Sequence, residues 1–108
     1  MSESTRTFTD SGFEAEVLNA DQPVLVDISA EWCAPCRALG PTIDQIADEF
    51  RGRAKIGKMD ADRNSAVPTQ YGVQAIPTLL IFKGGELVNK LVGLVSKDEI
   101  AAALEGAA

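Results

Sequence analysis

The 108-residue chain contains no histidine, which removes imidazole as general base, as zinc ligand and as the partner in a Cys-His protease dyad. Cysteine is almost as scarce. The only two, Cys33 and Cys36, stand in Trp32-Cys33-Ala34-Pro35-Cys36, so any sulfur chemistry is confined to five residues. A closed zinc site needs four nitrogen or sulfur ligands, and two cysteines could serve only in a site shared between chains. A c-type haem needs histidine directly after the second cysteine, where Arg37 stands. A purely structural disulfide is the plain alternative, but closing so short a loop stabilises by only roughly 2 kcal/mol. The favoured reading is a dithiol that cycles with its disulfide.

Positive charge is also short. Ten Lys and Arg against sixteen Asp and Glu leave a net charge of -6, which argues against nucleic acid as a partner. No apolar run approaches the length of a membrane span. The first twenty residues carry Glu3, Arg6, Asp10, Glu14 and Glu16 without a continuous apolar stretch, unlike a secretory signal. These absences lead to the expectation of a soluble, cytoplasmic protein with no membrane contact. A hydrophobic fraction of 45% with 24% charged residues is ordinary for a globular protein. The length suits one domain over residues 1–108, and a monomer is expected.

What is present reads as one alternating α/β unit. A short edge strand is expected over Arg6 to Phe8, and a helix near Asp10 to Asn19 with Phe13, Val17 and Leu18 on one face. Val24 to Ile28 is an apolar run broken by one carboxylate, the pattern of a central strand covered on both faces. From about Ala34 to Phe50, Leu39, Ile43, Ile46, Ala47 and Phe50 recur at helical spacing, with Pro41 predicting a kink. Lys55 to Asp60 reads as a strand and Asn64 to Tyr71 as a short helix with Gly72 past its end. Thr78 to Phe82 and Leu87 to Leu94 should form an antiparallel hairpin about Lys83-Gly84-Gly85-Glu86. Ser96 and Glu99 form a capping box for a last helix carrying Ile100, Ala103 and Leu104. Crossover units followed by a hairpin and a closing helix imply a mixed sheet with helices on both faces.

Placing Cys33 between a buried strand and a helix sets its sulfur at the positive helix end, which stabilises a thiolate. Lowering a thiol pKa from about 8.5 to about 7 raises the thiolate fraction at neutral pH by roughly tenfold, so attack on a disulfide accelerates. Pro35 suits a first turn, where its missing N–H has no intrahelical partner. Cys36, one turn in, should be shielded and attack only from within the protein. Trp32 would offer an apolar surface beside the reactive sulfur, or be an ordinary half-buried tryptophan.

The chain resembles the thioredoxins over nearly its whole length. The resemblance rests on Val26-Asp27, Ala30-Glu31-Trp32-Cys33-Ala34-Pro35-Cys36-Arg37, Leu39, Pro41, Asp60, Asp62, Tyr71-Gly72-Val73, Ile76-Pro77-Thr78, Gly85 and Val92-Gly93. A bare Cys-x-x-Cys is moderately specific, whereas this ordered set is very specific. The resemblance implies a thioredoxin fold: a central mixed β-sheet of about five strands flanked by four helices in three α/β/α layers. It also implies reduction of protein disulfides by a dithiol that a separate NADPH-dependent thioredoxin reductase restores, with no bound cofactor.

Within that framework Cys33 is the expected nucleophile and Cys36 the resolving thiol. An unpaired buried carboxylate costs several kcal/mol or takes up a proton, so Asp27 in an apolar strand invites a role. With no histidine available, Asp27 is expected to have a raised pKa and to accept the Cys36 proton through water when that thiol attacks; satisfaction by backbone donors is the alternative. Lys58 resembles the family's partner lysine and would modulate that pKa, unless it is simply a solvated surface residue. The family likeness implies a cis bond at Ile76-Pro77. Such a turn would free the Ile76 backbone groups to pair with an extended substrate, in a groove formed with Trp32, Ala34, Pro35, Val92 and Gly93. Val92-Gly93 also reads as a strand end with a bulge. Ala34 replaces the usual glycine, Ile28 a common phenylalanine, Ser29 an often aromatic residue and Ala75 an often present glycine. These departures bear on partner preference more than on chemistry. An oxidase or isomerase of the same fold is a second enzymatic reading, against which the absence of histidine between the cysteines counts. A docking subunit of a larger assembly is the non-enzymatic one.

Overall fold

Five strands form one sheet in the order β1-β3-β2-β4-β5: β1 Thr5–Thr7, β2 Val24–Ser29, β3 Lys55–Asp60, β4 Thr78–Lys83 and β5 Glu86–Val92. The computed structural model describes residues 2–108. β1 and β2 run parallel to β3, whereas β4 is antiparallel to both β2 and β5. A π-helical turn at Glu14–Leu18 and the helices α1 Ala34–Glu49, α2 Ala66–Gln70 and α3 Lys97–Ala107 complete the four helical elements. The expected mixed sheet flanked by helices is therefore present, with β2 buried along Val24 to Ile28 as a strand covered on both faces should be.

Strand alternation sorts the core into two layers. Leu25, Ile56, Leu79 and Ile81 pack against Leu39, Ile43, Ile46 and Phe50 of α1 and against Ile100 and Leu104 of α3. Val24, Val26, Ile28, Leu80 and Phe82 face the other way, toward Phe13, Val17 and Val67. Asp27 alternates with its neighbours onto the α1 side. Phe82 joins the second layer through edge-on contacts with Phe13 and Tyr71 at centroid separations of 5.3 and 5.1 Å. β3 passes the Phe8 ring so closely that a Cβ on Gly57 would lie 2.5 Å from Cε2 and 2.9 Å from the Arg6 carbonyl oxygen. Gly57→Ala is expected to destabilise by about 3 kcal/mol, because the backbone of β1 cannot yield to the added methyl. Urea unfolding with an unchanged m-value would verify it.

Local signals decide most boundaries. Ser96 accepts from the Glu99 N–H at 3.1 Å and starts α3. Gly84 and Gly85, with φ of 61° and 82°, make the two-residue turn between β4 and β5. α1 continues unbroken past Pro41, leaving the Arg37 carbonyl without its intrahelical donor. α2 ends in a Schellman motif, with Gly72 N–H bonded to the Thr69 carbonyl at 3.2 Å and Val73 N–H to the Pro68 carbonyl at 2.9 Å.

Two helices are shorter than expected, for a shared reason. The helix expected from Asp10 is reduced to Glu14–Leu18 because the Asp10 carboxylate crosses to cap α2, accepting from Ala66 and Val67 N–H at 3.0 Å each. Thr9 meanwhile accepts from Gly12 N–H at 3.1 Å, and such side-chain bonds compete with helix. Asn64 lies outside α2 because its amide bridges Asp10 N–H at 2.8 Å and the Asp60 carbonyl at 3.0 Å. β5 stops at Val92, where Gly93 turns to φ 89° and its N–H bonds the Pro77 carbonyl at 2.8 Å.

Candidate active site

β2 delivers the chain through Ala30-Glu31-Trp32 to Cys33, the N-cap of α1. Its extended backbone, φ -88° and ψ 111°, points the sulfur back over the first turn, where Sγ accepts from Cys36 N–H at 3.3 Å. Pro35 sits in that first turn, where a missing N–H costs nothing. Cys33 and Cys36 are joined as a disulfide, with Cα atoms 5.2 Å apart. Both are 5% exposed. Their environments nevertheless differ. Cys33 borders an open depression of about 550 Å³ shared with Trp32, Ala34, Pro35, Gln74, Ala75 and Ile76, and Cys36 does not.

The opposite rim is the loop before β4. The Ile76-Pro77 bond is cis, and the Ile76 carbonyl oxygen lies 3.9 Å from Cys33 Sγ. Of the residues assigned to the groove from the sequence, Trp32, Ala34, Pro35 and Ile76 line it directly. Pro77, Val92 and Gly93 are adjacent rather than lining: Gly93 N–H occupies the Pro77 carbonyl, and Val92 of β5 pairs with Thr78 of β4.

On β2, Asp27 is 1% exposed and its Oδ1 has no hydrogen-bond partner. Burial pushes its carboxyl up from 3.8 to about 7; the Lys58 ammonium opposes that rise and the Asp44 carboxylate adds to it. Lys58 is the Cα partner of Asp27 across the β2/β3 ladder. Its ammonium, however, pairs with Asp44 of α1 at 3.4 Å. Asp44 also accepts from the Thr5 hydroxyl at 2.7 Å. Partial burial pushes the Asp44 carboxyl up, but the Thr5 bond and Lys58 outweigh it and hold it below the ordinary value. Among the described residues, no group of three or more His, Cys, Asp or Glu is placed to hold a metal. Nor is any helix among the described residues long and apolar enough to cross a membrane.

The thioredoxin family model matches residues 4–106. Thioredoxin 1 of Nostoc sp. is 50% identical over 97 residues, covering 90% of this chain and 91% of the relative. Thioredoxin of Pseudomonas aeruginosa is 46% identical over 105 residues, 97% of each chain. The chain belongs to the thioredoxin family. It is accordingly a thiol-disulfide oxidoreductase of the protein-disulfide reductase kind, with Cys33 and Cys36 as its redox pair.

Other features of this thioredoxin-family site were not assigned from sequence. Trp32 is 68% exposed, and its indole N–H is held by Asp62 Oδ2 at 2.9 Å. Asp62 N–H is in turn held by Asp60 Oδ1 at 2.9 Å. Both aspartates were visible only as parts of the family pattern; their spacing from Trp32 carries no local signal. Ile28, Ala61, Pro68 and Val73 also border the depression. Three of the four departures from the common pattern, Ile28, Ala34 and Ala75, therefore lie at the site itself. Asp44 of α1 was not singled out from the sequence, and only the fold brings it to Lys58.

Proposed function

We propose that the protein reduces disulfides of other proteins in two exchange steps that begin at Cys33. The observation that carries this assignment is that Cys33 borders the open depression while Cys36 lies outside it. In the reduced protein the Cys33 thiolate attacks one sulfur of a substrate disulfide. A Cys33–substrate bond forms, the substrate S–S bond breaks, and the first substrate sulfur leaves as a thiolate that takes a proton from water. Cys36 then gives its thiol proton to the Asp27 carboxylate and attacks Cys33 Sγ. The Cys33–Cys36 disulfide forms and the second substrate thiolate leaves, so two electrons have passed to the substrate.

Asp27 suits the proton step because burial brings its carboxyl to about 7, near the pH at which it must work. Lys58 acts on that carboxyl by charge. The groove residues Trp32, Ala34, Pro35 and Ile76 would hold an extended substrate segment, with Pro77, Val92 and Gly93 fixing the rim. The Ile76 carbonyl 3.9 Å from Cys33 Sγ supports this reading, since an extended segment docked along that loop would lie against the reactive sulfur. A separate NADPH-dependent thioredoxin reductase regenerates the dithiol, and the protein works as a monomeric cytoplasmic reductant.

The reduction potential of the Cys33–Cys36 couple tests this role against the oxidase or isomerase alternative. A value near about -270 mV is expected by thiol equilibration; one near about -120 to -180 mV would reassign the protein.

A further inference from the structure

Lys58 and Asp27 are direct neighbours across the β2/β3 ladder, where opposite charges ordinarily pair. Yet no ion pair joins them among the described residues, and one Asp27 oxygen stays unpartnered. The ammonium instead lies against α1. It pairs with Asp44 at 3.4 Å, and a Cβ on Gly40, one helical turn earlier, would come 3.6 Å from it. The Thr5 hydroxyl on β1 donates to the same Asp44 oxygen at 2.7 Å and fixes the carboxylate from the other side. Both members of the pair are partly buried, Lys58 with 25% and Asp44 with 21% of its side chain exposed, so solvent screens them less than a fully exposed pair.

We propose that Asp44 is a positioning residue that tethers the Lys58 ammonium away from Asp27 and thereby sets how readily Asp27 takes the Cys36 proton. The inference rests on the proton-accepting role of Asp27 proposed above. Lys58 from β3 and Asp44 from α1 are the charged groups acting on Asp27, and β4 presents Leu79. With Asp44 in place, its own negative charge disfavours ionisation of Asp27, and the tether limits the opposing pull of Lys58. Removing Asp44 acts twice in one direction: a like charge disappears and the ammonium is free to turn toward Asp27.

Carbon-13 NMR of the Asp27 carboxyl across pH 4–10, in the reduced full-length protein, tests this directly. In Asp44→Asn the midpoint is expected to fall by about one pH unit. Asp44→Glu, which restores the charge, should recover most of it, a rescue that a merely structural role would not show. On a Lys58→Met background the Asp44→Asn shift should shrink to less than about half, because only the direct charge effect is left. An unchanged midpoint in Asp44→Asn, or the full shift without Lys58, overturns the proposal. The pH profile of mixed-disulfide resolution in Asp27→Asn separates the two ideas: a profile that persists unaltered sinks the Asp27 reading, while the NMR midpoints still decide on the tether.

Discussion

Asp27→Asn is expected to stabilise the oxidised protein at pH 8 by about 4 kcal/mol more than it does at pH 3. The sign follows from where the proton sits. Below pH 3.8 the carboxyl is protonated in the folded and unfolded chains alike, and its ionisation has no effect on folding. Between 3.8 and about 7 the unfolded chain has released the proton while the folded one retains it, so stability falls as pH rises. The slope is about 1.4 kcal/mol per pH unit. Above about 7 both states are ionised and the penalty is constant. Asparagine has nearly the same volume but does not ionise; its amide adds an offset independent of pH. Urea unfolding of both proteins at intervals from pH 3 to pH 9 gives the difference curve. A rise through the acid range with a plateau above neutrality is expected, and parallel curves would show that Asp27 is not held neutral by its surroundings.

The second large effect separates the two sulfurs. Cys33→Ser is expected to abolish turnover with a protein disulfide, by at least about a thousandfold, because the cysteine sulfur bordering the depression is lost. Cys36→Ser should also stop turnover but leave the first attack intact, so that the protein accumulates as a one-to-one mixed disulfide with its substrate. Intact-mass analysis under non-reducing conditions distinguishes the two outcomes. A covalent complex formed through Cys36 in the Cys33→Ser protein would reverse the assignment of nucleophile and resolving thiol. Cys33 accepts from the Cys36 N–H at the start of α1. The same contact is available to a Cys33 thiolate, whereas Cys36 is itself within the helix and has no comparable donor at its sulfur among the described bonds.

Much of the fold was legible because its signals are local. β3 occupies Lys55–Asp60 as read from its pattern, and α1 differs from the expected helix by one residue at its end. The Ser96 cap and the Gly84-Gly85 turn depend on backbone and side-chain preferences within four residues. The misjudged boundaries depend on partners far along the chain. Asp10 is drawn out of a helix by N–H groups more than fifty residues away, and Asn64 by the same loop. Neither segment carries a sequence pattern announcing that partner.

The candidate site divides in the same manner. By itself the sequence determined that the chemistry is sulfur chemistry at one helix start, and that no imidazole of this chain takes part in it. Those conclusions follow from residue inventory and short spacing. Tertiary structure alone decided that Asp62 holds Trp32, that an Asp27 oxygen is unpartnered, and that Lys58 turns to Asp44. Periodicity reports which face of an element is apolar, but electrostatics depends on distances through space. The charges that act on Asp27 come from β3 and α1, so only packing those elements on β2 brings them into range.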